Sequence, residues 1–145
     1  AASARAASVA VVVGACSRAR RVVHAVAPPR RVDAWSDAEA ADFEAEIGDL
    51  IISRSNYAAR QLAAIGGVKV PFGGFFKEFV VDFSGSGRTV SAINEALRTR
   101  HRIFGGKDIS GELDGYPNAA LYCVTEVHTR DDIDRLAAAV EEVLS

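Results

Sequence analysis

The sequence predicts a two-layer α+β domain, with helices packed on one face of a small, mostly antiparallel sheet. Three observations carry that prediction. Apolar residues recur at helical spacing around Ile47 to Ile65 and again from Ile133 to Val143. Phe76 to Phe83 and Ala119 to Thr125 are short runs of strand-forming and small apolar residues. Glycine-bearing breaks separate the elements at Gly66-Gly67, Gly85-Ser86-Gly87 and Gly105-Gly106. The order is helix, strand, strand, helix, strand, helix.

The first helix opens at Ser36-Asp37-Ala38-Glu39, where a serine hydroxyl and a glutamate three residues on can satisfy each other's backbone amides. No proline follows before Ile65. Ile47, Ile51, Ala58, Leu62 and Ile65 lie at spacings of four, seven, four and three, one stripe of a helix. Gly48 weakens the middle, so the stretch forms one long helix or two in line. Gly66-Gly67 supplies the positive φ that ends it. Val68-Lys69-Val70 is read as a short strand and Pro71 to Phe75 as a turn. Phe79, Val81 and Phe83 share one face of the next strand. Thr89 opens a helix with Val90, Ile93 and Leu97 on one side, running to about Arg100. Ile103-Phe104 is read as a short strand before Gly105-Gly106, Ser110 to Pro117 as a loop, and Ala119 to Thr125 as a buried strand. Thr129 caps the last helix, Arg130 to about Leu144, which turns Ile133, Leu136, Val140 and Val143 inward.

The 145 residues suffice for one compact domain, and 49% hydrophobic with 25% charged residues is ordinary globular composition. Charge is unevenly spread. Residues 1–32 hold six of the 17 Lys+Arg and no acid, so the rest carries all 19 Asp+Glu against eleven bases. An acidic folded part argues against nucleic acid as a partner. Residues 1–32 end in Pro28-Pro29-Arg30-Arg31 and are expected to be a poorly ordered extension, with the domain at 36–145. Their acid-poor, Arg-rich content is compatible with a transit peptide, and Val13-Gly14-Ala15-Cys16 looks like a lipoprotein box, although its apolar segment is short. The longest apolar run, Ala7 to Cys16, falls far short of the ~20 residues of a membrane span, so no membrane partner is expected. Cys16 and Cys123 form no metal or disulfide pattern and fit a reducing compartment, read here as the cytoplasm. The chain contains no Met and begins at Ala1, compatible with a processed product or a fragment.

Motifs with chemical potential have plain structural readings. Gly85-Ser86-Gly87 follows a strand and opens a helix, but Val90 replaces the third glycine of a dinucleotide fingerprint. Gly105-Gly106-Lys107 lacks phosphate-loop spacing and is read as a tight turn with positive φ that lets the backbone pass close to another surface. The three lysines, Lys69, Lys77 and Lys107, are read as surface residues rather than Schiff-base nucleophiles. His24, His101 and His128 have no metal-ligand spacing, and Cys123 is read as a small buried residue. Asp131, Asp132 and Asp134 suit a helix amino terminus, with Thr129 and Asp132 forming a capping box. Glu126, at a strand end, has no capping role and is a candidate interface residue.

Arg54-Ser55-Asn56-Tyr57-Ala58-Ala59, Phe76-Lys77-Glu78-Phe79-Val80-Val81, Ile93-Asn94-Glu95-Ala96-Leu97 and Gly105-Gly106 follow in order. Val124-Thr125-Glu126 and Thr129-Arg130-Asp131-Asp132-Ile133-Asp134 close the chain. From about Ser53 onward this order and content resemble the C-terminal part of subunit 1 of the glycine cleavage system P-protein, the decarboxylating glycine dehydrogenase. Asn56 departs from the family, where histidine is commoner.

The resemblance implies the small C-terminal domain of a pyridoxal-phosphate (PLP)-dependent transferase of fold type I, the aminotransferase-like class. It implies a part in glycine decarboxylation, with aminomethyl transfer to the lipoyl arm of the H-protein, exercised only within a complex. Implied partners are P-protein subunit 2 and the lipoyl H-protein. In the two-subunit form the cofactor lysine belongs to subunit 2, so PLP is expected in the intact complex and no cofactor on this chain alone. No catalytic, cofactor-binding or metal residue carries over. A domain of this kind exposes apolar area toward its neighbours, and Phe72, Phe75 and Phe76 around Gly73-Gly74, with Glu126, are the expected interface. Self-association is expected from the same exposure. Two other readings stay open: a free-standing α+β ligand-binding or regulatory module of ACT-like type, with Phe79 to Leu97 as its binding edge, and a nonfunctional remnant.

Overall fold

The computed structural model describes residues 36–145. The expectations placed on residues 1–32, including the box ending at Cys16, lie outside the described residues. Helix α1 spans Asp37–Ala63 without a break at Gly48. Its start is the capping box read from sequence: Glu39 N–H donates to Ser36 Oγ at 3.3 Å, and Ser36 N–H donates to Glu39 Oε2 at 2.8 Å. The turn after it uses Gly67 at φ 81°. A Cβ there would stand 2.6 Å from the Gly85 carbonyl oxygen, so two glycines let the two loops touch.

Strand β1 is Glu78–Asp82, β2 is Lys107–Asp108 and β3 is Ala119–Cys123. They form an antiparallel sheet in the order β1-β3-β2, with Phe79 opposite Tyr122, Val81 opposite Ala120 and Lys107 opposite Leu121. Helix α2 covers Val90–Ala96 and continues as a π-helical turn through Leu97–His101. Helix α3 covers Arg130–Leu144, with Thr129 and Asp132 as its capping box.

Two strand expectations are corrected. Val68 to Val70 contributes only one antiparallel bridge, Lys69 to Asp82, because the glycine turn precedes it and Pro71, which has no N–H, follows. At Ile103-Phe104 only Phe104 forms an isolated bridge, and the short strand lies at Lys107–Asp108, after the glycine pair.

One core joins all layers. The inner sheet face, Phe79, Val81, Ala120 and Tyr122, packs with Ala58, Ala59 and Leu62 of α1, Val90 and Ile93 of α2, and Leu136, Val140 and Val143 of α3. Val80, Leu121 and Cys123 on the outer face are half-buried, so the helices sit on one side as the sequence predicts. Cys123 is thus less enclosed than expected. Helix α1 contributes no buried residue before Ile51, and its first half projects beyond the core. Among the described residues no helix is long and apolar enough to cross a membrane.

Candidate functional site

The sequence-predicted interface residues occupy two ends of the sheet. At the end where β1 begins and β3 finishes, Val124 N–H donates to the Lys77 carbonyl at 2.8 Å. Adjacent residues of α1 hold the flanking segments there. Ser55, fully buried, donates its hydroxyl to the Phe76 carbonyl at 2.6 Å, and the Arg54 guanidinium donates to the Glu126 carbonyl. Phe76 and Glu126 are therefore brought to one stretch of α1, beside exposed Ile52, with exposed Val127 following. Phe76 is 48% exposed, while the Glu126 residue is half-buried in a turn closed by His128 N–H on the Thr125 carbonyl.

Phe72 and Phe75 have other surroundings. Phe72, also exposed, sets its ring edge on Tyr116 at 5.2 Å, in the loop that leads into β3. Phe75 turns inward and packs on Phe79 at 5.1 Å, so it extends the core. Among the described residues no atom lies near the space a Cβ would fill on Gly73 or Gly74.

The glycine pair Gly105-Gly106 has a different cause from the expected one. Neither residue has positive φ, so the expected turn geometry is corrected, but the close approach holds. A Cβ on Gly106 would lie 2.6 Å from the Tyr122 ring, and one on Gly105 would lie 2.0 Å from Asn94 Oδ1. Asn94 also donates to the Gly106 carbonyl at 2.8 Å. The pair is a slot through which the chain passes under α2 and over Tyr122.

Tyr122 is fully buried, and its hydroxyl makes no hydrogen bond of normal geometry. Burial pushes the phenol up to about 12, with the nearby Gly106 amide pulling the other way. Tyr122→Phe removes a buried polar group without a partner, so stability is expected to hold or rise by up to about 1 kcal/mol. The pH dependence has a definite sign. The folded value lies above the unfolded one, so the wild type loses stability as pH rises from about 10 toward 12, and the variant loses less. Thermal melts at neutral and alkaline pH check both expectations, and a large neutral-pH loss in the variant would contradict them.

The remaining motifs hold no ligand chemistry. At the start of α2, Val90 N–H donates to Asn118 Oδ1 at 2.9 Å and Ala92 N–H donates to Thr89 Oγ1 at 3.2 Å. The chain's own side chains thus take amides that a phosphate, or an effector at an ACT-like edge, would use. Lys69 is exposed, Lys77 half-buried, and Lys107 pairs with Glu112 at 3.1 Å. His128 Nδ1 accepts from Thr125 N–H at 3.0 Å. Asp134 accepts from the Tyr57 hydroxyl at 2.5 Å, and the Arg130 guanidinium lies over that tyrosine ring at 4.5 Å. Among the described residues no cluster of His, Cys, Asp or Glu is fit to hold a metal ion. Sequence reasoning assigned no role to Ser55 or Asn118. The available signal for Ser55 was its position four residues after Ile51, a polar residue on the apolar stripe.

No protein-family model matches the chain. Curated relatives do. A Desulfitobacterium hafniense protein named "Probable glycine dehydrogenase (decarboxylating) subunit 1" is 37% identical over 99 residues, 68% of this chain and 21% of the relative. The chain is related to subunit 1 of the decarboxylating glycine dehydrogenase. A Saccharolobus solfataricus protein of the same name is 36% identical over 100 residues, 68% of this chain and 20% of the relative. One from Bacillus cereus is 41% identical over 85 residues, 59% and 18% respectively. Among solved structures, inhibitor-bound glycine decarboxylase (P-protein) of the glycine cleavage system shares the fold, with a TM-score of 0.59 and 24% identity. That match covers 68% of this chain and 21% of the P-protein chain. The fold is therefore an α+β small domain of the aminotransferase-like class, and the chain spans about a fifth of the length of the dehydrogenase relatives it matches.

Proposed function

We propose that this chain supplies the small C-terminal domain of a glycine dehydrogenase (decarboxylating) subunit 1, and that it serves glycine cleavage only as part of a complex. The observation that carries this is the 37% identity over 99 residues to a protein of that name. The reaction of such a complex is glycine decarboxylation with aminomethyl transfer to the lipoyl H-protein, and P-protein subunit 2 is the proposed partner. The described residues do not fit PLP: no lysine is enclosed in a cavity, and Lys107 is paired with Glu112. A Schiff-base lysine needs desolvation or a neighbouring cation. PLP therefore belongs to the intact complex, and this domain's role is structural. Phe76, Phe72 and Glu126 form its docking residues toward the rest of the enzyme, and Phe75 supports them from within.

The test is a chimera in which residues 36–145 replace the matching fifth of the D. hafniense subunit 1, co-expressed with that organism's subunit 2. Release of CO2 from carboxyl-labelled glycine in the presence of H-protein is expected for the chimera and not for the isolated chain. A chimera that folds and assembles yet releases no CO2 would overturn the assignment. So would glycine decarboxylation by the isolated chain.

A further inference from the structure

The first half of α1 carries two adjacent lines of side chains. Asp42, Glu46 and Asp49 fall at spacings of four and three, so they stack along one side of the helix, and all three are exposed. Each is followed directly by an apolar residue, Phe43, Ile47 and Leu50, and these form a second line beside the first. Phe43 and Ile47 are half-buried, and Leu50 is 39% exposed. No Lys or Arg occurs between Ser36 and Ser53, and Asp42, Glu46 and Asp49 make no ion pair among the described residues.

This arrangement is unfavourable on its own. Asp37 and Glu39 lie in the first turn, where the helix dipole favours acids, and Glu39 is taken by the cap. The dipole fades before Asp42, Glu46 and Asp49, and like charges at these spacings weaken a helix. The stretch contributes no buried residue before Ile51 and is marginal as a free helix. Its face calls for a cover that is both cationic and partly apolar. The sequence supplies one beside the helix itself. Residues 18–31 lie outside the described residues; in sequence they hold Arg18, Arg20, Arg21, Arg30 and Arg31, no acid, and Val22, Val23 and Val26 between the two arginine pairs. Their reach is ample. Ser36 to Asp49 is about 20 Å of helix at ~1.5 Å per residue, whereas the chain from Arg21 to Ser36 extends up to about 50 Å.

We propose that residues 18–31 turn back and dock along the Asp42–Glu46–Asp49 line of the same molecule, arginines on acids and valines beside Ile47 and Leu50. Loop closure costs grow slowly with length, and a short tether holds a segment near its target at an effective concentration of order millimolar. A second copy, or another protein, at roughly micromolar concentration competes poorly with that. Charge pairing of this kind needs no regular structure in the segment. The proposal is independent of the glycine cleavage reading, because it uses only the helix face, the charge and the tether.

Paramagnetic relaxation in the full chain tests it. With Cys123→Ala in place, a nitroxide on Cys16 sits two residues before Arg18. At about 50 mM salt it is expected to broaden the amide signals of Asp42 to Leu50 about twofold more than in a variant carrying Arg20→Glu, Arg21→Glu, Arg30→Glu and Arg31→Glu. Raising salt to about 500 mM should remove most of that difference, as screening shortens to a few ångströms. A mixture of spin-labelled chain with isotope-labelled chain reports contact between molecules and is expected to show no broadening there. Amide exchange without the spin label is the second measure. The arginine reversal is expected to speed exchange across Asp42 to Leu50 about fivefold, while Ala58 to Leu62 in the core keeps its rate. Equal broadening in both chains, broadening that survives high salt, or broadening in the mixture overturns the proposal, the last by making a second copy the cover. Exchange unchanged by the reversal overturns it too. None of these outcomes bears on the chimera's activity, since the chimera carries only residues 36–145 of this chain.

Discussion

Gly106→Ala is expected to destabilise the domain by about 3 kcal/mol, the upper range for overpacking a core. The new Cβ meets the Cδ2 and Cε2 atoms of Tyr122 at 2.6 Å and the Leu121 carbonyl oxygen at 2.8 Å. Neither neighbour yields easily. Tyr122 is fully buried between Phe79 and Phe83, with ring centroids 6.1 and 6.5 Å away, and Leu121 belongs to the central strand of the sheet. The methyl therefore pushes β2 off β3 or tilts the ring out of the core. Gly73→Ala is the control, since nothing lies within 4 Å of its Cβ position and its φ is not positive. It is expected to stay within about 0.5 kcal/mol of wild type. Urea denaturation of both variants separates the cases, and equal midpoints would show that the slot can open.

That slot marks where sequence reading reached its limit. The pair Gly105-Gly106 is legible as a place needing small residues, and the local rule suggests positive φ. The cause lies instead in Asn94 and Tyr122, 11 and 16 residues away along the chain, and no local pattern encodes those contacts. Elements whose signals are local are legible in the sequence. Helix α3 begins after Thr129 because the capping box and the Ile133, Leu136, Val140, Val143 stripe agree. Helix α1 runs through Gly48 as a single element because its cap and its packed second half offset one weak position. The strand read at Val68 to Val70 needed a ladder partner on both sides of Lys69, and Pro71 removes a donor. The aromatic group Phe72, Phe75 and Phe76 looks like one feature because it spans five residues. Its members diverge because backbone anchors decide the outcome: Ser55 holds Phe76 at the surface, while Phe75 finds Phe79 below. The anchors themselves, Arg54 and Ser55, fall within a run that was legible as family resemblance but not as geometry.

Phe83→Ala should remove about 3–5 kcal/mol, the usual cost of emptying an aromatic core site. Phe83 is fully buried at the end of β1, its ring faces Tyr122, and its N–H donates to the Asn118 carbonyl at 2.9 Å. Asn118 in turn accepts from Val90 N–H and donates to the Arg88 carbonyl at 2.7 Å, so the site joins β1, the start of α2 and the entry to β3. A domain of this size carries about 5–15 kcal/mol in total, so the variant stands near the threshold of unfolding at 25 °C. Phe76→Ala is the opposite case. Its ring is 48% exposed and the Ser55 bond goes to its carbonyl, which alanine keeps, so stability is expected to change by less than about 1 kcal/mol. Its effect belongs to association with the rest of the enzyme. Placed in the chimera, Phe76→Ala should lower co-purification with subunit 2 while its melting curve stays near wild type. Phe83→Ala should lower both together. If Phe76→Ala leaves assembly and activity untouched, the exposed ring at this end of the sheet is not a docking residue, and Phe72 at the other end becomes the face to test.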